Sequence, residues 1–378
     1  MISHFLGLLT LVAAATADTP VPSAPAPAGN VAVSTSPAAA PPKQDILVIV
    51  GAPGEDAYAP GFAAAAKAWQ DAAARAGANI RILGLDPVLT ASNAAGTLTA
   101  NASAKTPTDR DLLYEWIQKL DPNSSAPAWI VYIGHGTFDG REARLGFRGP
   151  DVSATELATW LKPVHRPLVV VDGSSASAPF LAAVSAPNRI IVTATQNGRE
   201  SNYARFGEMF ALAVANPAAD LDRDGQTSVL EAFVFAAKQV QDFYKENDRM
   251  ATEHALIDDN GDQRGTPSDW FNGTRVVKRP QNNSVAPDGA RARVLALVPP
   301  AADLLLSNEQ LQLREQYERQ LEQLRSRKTQ MDADAYYTSL ETLLRKLAAI
   351  YVPAASPSTA APVTATSSAN LSANSTAK

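Results

Sequence analysis

The sequence predicts an α/β fold, with a mostly parallel sheet flanked by helices and followed by a C-terminal α-helical hairpin. Short β-branched runs alternate with helical stretches, which is typical of right-handed βαβ units. The runs are apolar throughout, as expected of strands buried on both faces. After Pro299-Pro300 the apolar residues recur at helical spacing instead. The strands are predicted at 46–50, 80–83, 129–133, 168–171 and 190–192, with a sixth near 255–257.

The segments between the predicted strands carry helical signals. Phe62 and Trp69 fall on one face of an alanine-rich stretch, and Ser153 is a favourable N-cap for the stretch that follows it. In doubly wound sheets, functional sites gather at the carboxyl ends of the strands. Catalytic and ligand-binding residues are therefore expected in the loops that follow the strands. Helices are predicted at 61–76, 109–120, 154–161 and 229–247.

The C-terminal region, 303–352, is predicted to be a hairpin of two amphipathic helices joined near Met331-Asp332. Ser307 and Gln310 have the spacing of a capping box at the start of the first helix. The hairpin must bury its apolar stripe on the α/β domain or on another chain, so oligomerisation through these helices stays open. The stripe residues are Leu313, Tyr317, Leu321 and Leu324 in the first helix and Tyr337, Leu340, Leu344 and Leu347 in the second.

Composition excludes several classes of function. The chain has 378 residues and a net charge of −5, with Lys and Arg dispersed, so neither nucleic acid nor an anionic membrane surface is an expected partner. The only long apolar stretch is N-terminal, so no integral membrane span is expected. Cysteine is absent, which excludes disulfides, thiolate metal sites, a cysteine nucleophile and a lipoprotein anchor.

The sequence predicts a targeting signal at the N-terminus and a disordered segment near each end of the chain. Residues 5–17 are apolar and end in Ala15-Thr16-Ala17, which predicts a signal peptide at 1–17, cleavage before Asp18, and an exported protein, periplasmic or secreted. A buried N-terminal helix is the alternative. Residues 18–44 are rich in Pro and Ala, and 353–378 in Ala, Ser, Thr and Pro, so both are expected to be disordered. The α/β domain is then 45–298.

A histidine between two glycines follows the predicted strand 129–133. At a strand's carboxyl end, His135 could act as a general base, and the flanking Gly134 and Gly136 could present amides to an oxyanion. Strand 168–171 ends in Asp172-Gly173-Ser174-Ser175-Ala176-Ser177 at the same predicted sheet edge. A base and a nucleophile on neighbouring strands would suit covalent hydrolysis. The alternative is a histidine that caps a tight turn.

These two segments resemble the motifs of the caspase-like clan of peptidases, in particular its legumain (asparaginyl endopeptidase) branch. That family has a hydrophobic strand followed by His-Gly and a second strand followed by an acidic residue, a small residue and the nucleophile. The resemblance covers about residues 45–260 and implies His135 as general base. It also implies that Ser174 stands where the family has its cysteine, with an oxyanion hole formed by the amides of Gly136 and Ser174.

A different serine site is also possible. Gly173-Ser174-Ser175-Ala176-Ser177 half matches a nucleophile elbow centred on Ser175, which would require His254 as its base. The resemblance to legumains in turn implies that Asp258–Asp262, an acidic turn, borders the substrate cleft, together with Arg199 and Glu200.

The segment from Asp220 to Glu231 matches a twelve-residue calcium loop. Ca²⁺ prefers many oxygen ligands, and the Gly225 position permits the sharp turn that such a loop needs. The alternative is an Asp-rich turn that caps helix 229–247 without a metal. The predicted ligands are Asp220, Asp222, Asp224, the carbonyl of Gln226, a water near Ser228, and bidentate Glu231.

Two functions remain open from the sequence. The first is a catalytically degenerate peptidase-fold protein that binds a peptide or a protein as a scaffold, which the absence of cysteine favours. The second is an active endopeptidase that uses a His135–Ser174 dyad, which the retained Gly134-His135-Gly136 motif favours.

Overall fold

The computed structural model describes residues 42–85, 106–278, 287–300 and 306–351. The predicted signal peptide, most of the predicted linker and the C-terminal tail lie outside these residues. The strands are β1 (Asp45–Val50), β2 (Asn79–Leu83), β3 (Ala128–Ile133), β4 (Gly136–Phe138), β5 (Ala143–Leu145), β6 (Val152–Ser153), β7 (Leu168–Asp172), β8 (Arg189–Thr193), β9 (Leu256–Asp258), β10 (Thr266–Pro267), β11 (Phe271–Asn272) and β12 (Arg275–Val276). The helices are α1 (Ala59–Ala76), α2 (Asp109–Lys119), α3 (Ala154–Leu161), α4 (Ala178–Val184), α5 (Phe206–Ala213), α6 (Val229–Glu246), α7 (Asn308–Ser326) and α8 (Ala333–Tyr351).

One mixed sheet organises the α/β domain. In the described part of the chain its order is β10-β9-β8-β7-β3-β1-β2. Neighbouring strands from β8 to β2 are parallel, and β9 and β10 add an antiparallel edge. The predicted α/β fold is confirmed, including the sixth strand. A second sheet, β4-β5-β6, is absent from the sequence prediction because strands of two or three residues carry too little periodicity to detect.

Helices cover both faces of the sheet, which explains why its strands are continuously apolar. Alternate residues of β3 point to opposite faces, so Val131 belongs to the core layer shared with α1, α5 and α6. Ile130 belongs to the layer shared with α2, α3 and α4. The sheet is thus fixed on both sides, and the loops at its carboxyl edge are held in defined positions.

The C-terminal helices form the predicted hairpin, with a different contact stripe. The capping box of Ser307 and Gln310 is present at the start of α7. Tyr336 and Ile350 of α8 are buried, whereas Tyr337 and Leu344, which the sequence analysis assigned to the buried stripe, are exposed. Within this chain α8 therefore contacts α7 through a stripe rotated from the predicted one, since a shift of one residue moves a side chain by about 100° around the helix. The burial of Tyr337 and Leu344 on another chain stays a prediction.

The chain just before β1 already packs on the domain. Gln44 Oε1 accepts a hydrogen bond from Trp129 Nε1 at 2.8 Å, and Gln44 Nε2 donates to the carbonyl of Leu297 at 2.9 Å. This glutamine therefore joins the two ends of the domain. Within the described residues, no helix is both long and apolar enough to cross a bilayer.

Candidate active site

The two predicted catalytic segments leave the same edge of the sheet. Strands β3 and β7 are parallel neighbours, and Tyr132 pairs with Asp172 near their carboxyl ends. His135 lies three residues beyond the first of these and Ser174 two residues beyond the second. A Cβ atom at Gly136 would lie 2.5 Å from Ser174 Oγ, so only glycine fits there. The sequence correctly predicted that these segments meet.

The imidazole of His135 is oriented by a main-chain oxygen. Its Nε2 lies 2.9 Å from the carbonyl oxygen of Pro53, in the loop after β1. Because a carbonyl only accepts, Nε2 carries the proton and Nδ1 is the basic nitrogen. The ring packs among Tyr58, Phe62 and Tyr203, with centroid distances of 5.1, 5.6 and 5.8 Å. No side-chain motif signals a carbonyl partner, so Pro53 could not be predicted from the sequence.

The hydroxyl of Ser174 is hydrogen-bonded to Asp172. Ser174 is fully buried, and its Oγ donates to Asp172 Oδ1 at 2.6 Å. Burial raises the pKa of Asp172 to about 6, although the hydrogen bonds from the hydroxyl and amide of Ser174 act in the opposite direction. The serine therefore satisfies a buried carboxylate, and no hydrogen bond joins it to His135 among the described contacts.

Both amides of the predicted oxyanion hole have internal acceptors. The Gly136 amide donates to Ser175 Oγ at 3.3 Å, and the same hydroxyl donates to the Gly136 carbonyl at 3.0 Å. The Ser174 amide donates to Asp172 Oδ1 at 3.0 Å. A substrate oxyanion would have to displace these acceptors before it could use either amide.

Glu200 connects the loop after β7 to the segment that precedes β9. Its main-chain carbonyl accepts the amide of Ala176 at 2.8 Å, and its Oε1 lies 2.7 Å from His254 Nδ1. Ala176 has a φ of 55°, a left-handed conformation that is unfavourable for a residue other than glycine. His254 is thus paired with Glu200 and makes no described hydrogen bond to Ser175, as the nucleophile-elbow alternative would require.

Three of the predicted calcium ligands come together. One carboxylate oxygen each from Asp220, Asp222 and Asp224 lies within 4.8 Å of the others. Partial burial, together with the carboxylates of Glu231, Asp224 and Asp220, raises the pKa of Asp222 to about 6. Gly225 has a φ of 91°, which provides the sharp turn. Three converging carboxylates fit a hard cation such as Ca²⁺.

Ser228, Glu231 and Gln226, which are also predicted ligands, make hydrogen bonds within the loop. Glu231 Oε2 accepts from the amide and hydroxyl of Ser228, forming the capping box of α6. Glu231 Oε1 accepts the amides of Leu221 and Asp222. Gln226 donates its amide and side-chain NH₂ to Asp224. The buried Glu231 therefore organises the loop, and its oxygens are not directed at the three aspartates.

The acidic turn after β9 belongs to the β9–β10 hairpin. Asp259 accepts the amides of Gly289, Arg291 and Ala292 at 2.8–2.9 Å. Asp288 in turn accepts the Asp259 amide at 2.9 Å and the Thr266 hydroxyl. Burial raises the pKa of Asp288 to about 7. These buried carboxylates tie loop 259–265 to residues 288–292.

Comparisons with known proteins leave the family open. No protein-family model and no curated protein matches the chain. The initiator caspase Dronc from Drosophila is similar to 59% of this chain over 81% of its own length, with 12% identity and a TM-score of 0.37. Caspase-1 from Spodoptera frugiperda is similar to 57% of the chain over 86% of its own length, with 10% identity and a TM-score of 0.35.

Proposed function

We propose that this chain is an exported protein with a caspase-like peptidase fold whose cleft binds a peptide or a protein without cleaving it. One observation carries the proposal: the Ser174 hydroxyl and both predicted oxyanion amides are hydrogen-bonded internally. The arrangement brings the His135 and Ser174 segments to the carboxyl edge of the sheet but leaves Ser174 without a free hydroxyl to act as nucleophile.

The internal hydrogen bonds of Ser174 and His135 oppose hydrolysis. A serine attacks a carbonyl only when a base removes its proton and free donors stabilise the oxyanion. The proton of Ser174 lies on a hydrogen bond to Asp172, and the proton of His135 Nε2 lies on one to Pro53. No hydrogen bond joins these two groups among the described residues. A protein without cysteine also lacks the more nucleophilic thiolate.

The rim of the cleft offers groups that could hold an extended peptide. Arg199 is exposed next to Glu200, and His254 is exposed on the opposite segment. Tyr58 and Tyr203 stack at a centroid distance of 4.3 Å beside His135. Polar groups of both signs and aromatic surface are the usual components of a peptide-binding rim.

An active hydrolase is the second candidate. It is favoured by the basic Nδ1 of His135, which the bond between Nε2 and Pro53 leaves free, and by the contact of Gly136 with Ser174. Activity would require the Ser174 hydroxyl to rotate from Asp172 toward His135. The two candidates therefore differ in whether Ser174 is ever released.

Labelling with a serine-reactive fluorophosphonate distinguishes the candidates. We expect the purified protein to remain unlabelled under conditions that label an active serine peptidase. Labelling that disappears in Ser174→Ala and persists in Ser175→Ala would instead establish the hydrolase.

Binding to an immobilised peptide library tests the scaffold function directly. Peptides bound by the parent should bind His254→Ala about tenfold more weakly, a loss of roughly 1.4 kcal/mol. His165→Ala is the matched control, because His165 is also exposed but precedes β7 at the amino edge of the sheet. A parent that binds no peptide, or equal losses in both variants, would contradict the scaffold function.

We also propose a structural Ca²⁺ site at Asp220, Asp222 and Asp224. Three oxygens within 4.8 Å of one another, on a turn that leads into α6, support it. The ion would neutralise the mutual repulsion of these carboxylates and fix the start of the helix.

A further inference from the structure

Glu200 fixes the imidazole of His254 in one orientation. Only 12% of the Glu200 side chain is exposed. Its Oε2 accepts the main-chain amides of Gln196 at 3.0 Å and His254 at 3.1 Å. Its Oε1 accepts the side-chain NH₂ of Gln196 at 3.0 Å and lies 2.7 Å from His254 Nδ1. The carboxylate therefore holds both the backbone and the ring of His254.

This contact determines which nitrogen of His254 is free. A carboxylate only accepts, so Nδ1 carries the proton, and Nε2 of the neutral ring is a hydrogen-bond acceptor. The His254 side chain is 47% exposed, and no described residue forms a hydrogen bond with Nε2. His135 is the opposite tautomer, because its Nε2 donates to the Pro53 carbonyl. The structure thus presents two oriented imidazoles, each with one free basic nitrogen.

The strand register places these two histidines at the same edge of the sheet. His135 follows β3, and His254 precedes β9, which is antiparallel to β8, so both lie at the carboxyl edge of the parallel strands. Neighbouring strands are about 4.8 Å apart, so three spacings separate β3 from β9 by about 14 Å. An extended peptide covers this distance with about four residues. The row of paired residues across β3, β7, β8 and β9 is Tyr132, Asp172, Thr193 and Leu256.

We infer that His254 Nε2 accepts a hydrogen bond from a main-chain N–H of an extended peptide, about four residues from the part of the peptide beside His135. The inference rests on the proposed peptide-binding function and assigns one of its contacts. A neutral donor is favoured because Arg199, an exposed cation next to Glu200, repels a lysine or arginine of the ligand. An extended peptide offers amide N–H groups whatever its sequence. Glu200 is then the positioning residue for His254.

Glu200→Gln separates this role from a purely structural one. The glutamine oxygen can replace Oε2, whose partners are main-chain amides, and its NH₂ can replace Oε1. There the Gln196 side chain can turn its oxygen toward the NH₂, and the His254 proton can move from Nδ1 to Nε2. The same contacts persist, but Nε2 becomes a donor and opposes a peptide N–H.

Nitrogen NMR of the imidazole rings in the full chain tests the tautomer without any ligand. At about pH 8, where an ordinary histidine is neutral, His254 should carry its proton on Nδ1 in the parent and on Nε2 in Glu200→Gln. The signals that disappear in His254→Ala identify the residue. Glu246→Gln is the control, because it removes an exposed carboxylate at the end of α6 and should leave the parent tautomer. A parent with the proton on Nε2 would overturn the inference.

An N-methyl scan tests the peptide contact. The probe is the peptide that the parent binds most tightly in the immobilised library, with each main-chain N–H replaced in turn by N–CH₃. One position should lose at least about tenfold in affinity for the parent, and no more than about twofold for His254→Ala and Glu200→Gln, which bind the unmodified peptide more weakly. His165→Ala should keep the full tenfold loss.

The outcomes distinguish this inference from the proposed function. A parent that binds peptide but shows no sensitive position, or a loss that persists in His254→Ala, would overturn the inference alone. A parent that binds no peptide would contradict the proposed function, and the inference would fail with it.

Discussion

The Ser174 hydroxyl donates to Asp172 Oδ1 at 2.6 Å, and both residues are buried. The other carboxylate oxygen, Asp172 Oδ2, has no hydrogen-bond partner among the described residues. The serine at the predicted nucleophile position thus serves mainly to stabilise a carboxylate that is isolated from water. This pair determines how stability should depend on pH and how residue 174 should react.

Asp172 should make the protein less stable as the pH rises. Its pKa of about 6 lies above the ordinary 3.8, so between these values the folded state retains a proton that the unfolded state releases. The stabilisation is complete below about pH 4 and is lost as the pH rises through about 6. Urea denaturation should show the free energy of unfolding of the parent, minus that of Asp172→Asn, decreasing by roughly 2.4 kcal/mol between about pH 4 and 7.

The subtraction isolates Asp172 from other groups. Burial also raises the pKa of Asp288 and Glu253, but these carboxyls titrate in both proteins and cancel in the difference. A difference that is constant with pH would show that Asp172 titrates normally.

Ser174→Cys should react slowly with iodoacetamide. Burial and the Asp172 carboxylate both disfavour the thiolate, which is the reactive form, so the thiol's pKa should exceed its usual value of about 8.5. Mass spectrometry of the alkylated protein measures the rate, with the exposed Ser201→Cys as the control. Addition of His135→Ala should leave the rate within about twofold. Fast labelling that requires His135 would show instead that the two residues form a dyad.

The sequence predicted that the two segments lie at the same edge of the sheet. It did not predict the hydrogen-bond partners of His135 and Ser174. Apolar parallel strands place His135 and Ser174 at one sheet edge, and this much depends only on pattern. The partner of His135 is the Pro53 carbonyl, and every residue has such an oxygen, so no motif marks it. Whether Ser174 turns toward His135 or Asp172 is a choice of rotamer, which spacing in the sequence does not determine.

The C-terminal hairpin shows a similar limit. The predicted stripe and the observed one share Leu340 and Leu347, and both satisfy helical spacing. Because α8 is apolar over a wide arc, periodicity predicts the helix without deciding which of its sides faces α7. Tertiary packing decides it, and buries Tyr336 rather than Tyr337.

If the protein is exported, cleavage of its signal peptide should produce a single defined N-terminus. If residues 1–17 are a signal peptide, N-terminal sequencing of exported protein should begin Asp18-Thr19-Pro20, because signal peptidase requires small residues such as Ala15 and Ala17 before the cut. Ala17→Phe should retain the leader, whereas Val21→Phe, beyond the cut, should not. Exported protein that still begins at Met1 would contradict the prediction.

Calcium should stabilise the protein through the acidic loop. Millimolar Ca²⁺ should raise the melting temperature of the parent, because a ligand that binds only the folded state adds its binding free energy to stability. Asp222→Asn should abolish this rise. Without calcium the same substitution should raise the melting temperature at neutral pH, since it removes a charge that Glu231, Asp224 and Asp220 repel.

Two further substitutions separate metal binding from helix capping. Asp242→Asn on α6 removes an exposed carboxylate that pairs with Lys238, and it should leave the calcium response intact. Glu231→Gln should lower the melting temperature with or without calcium, because a buried glutamine NH₂ would face amides that the carboxylate now accepts, at a cost of about 1–3 kcal/mol. If the parent shows no calcium response while Glu231→Gln is destabilised, the loop is a turn that caps α6 and holds no metal.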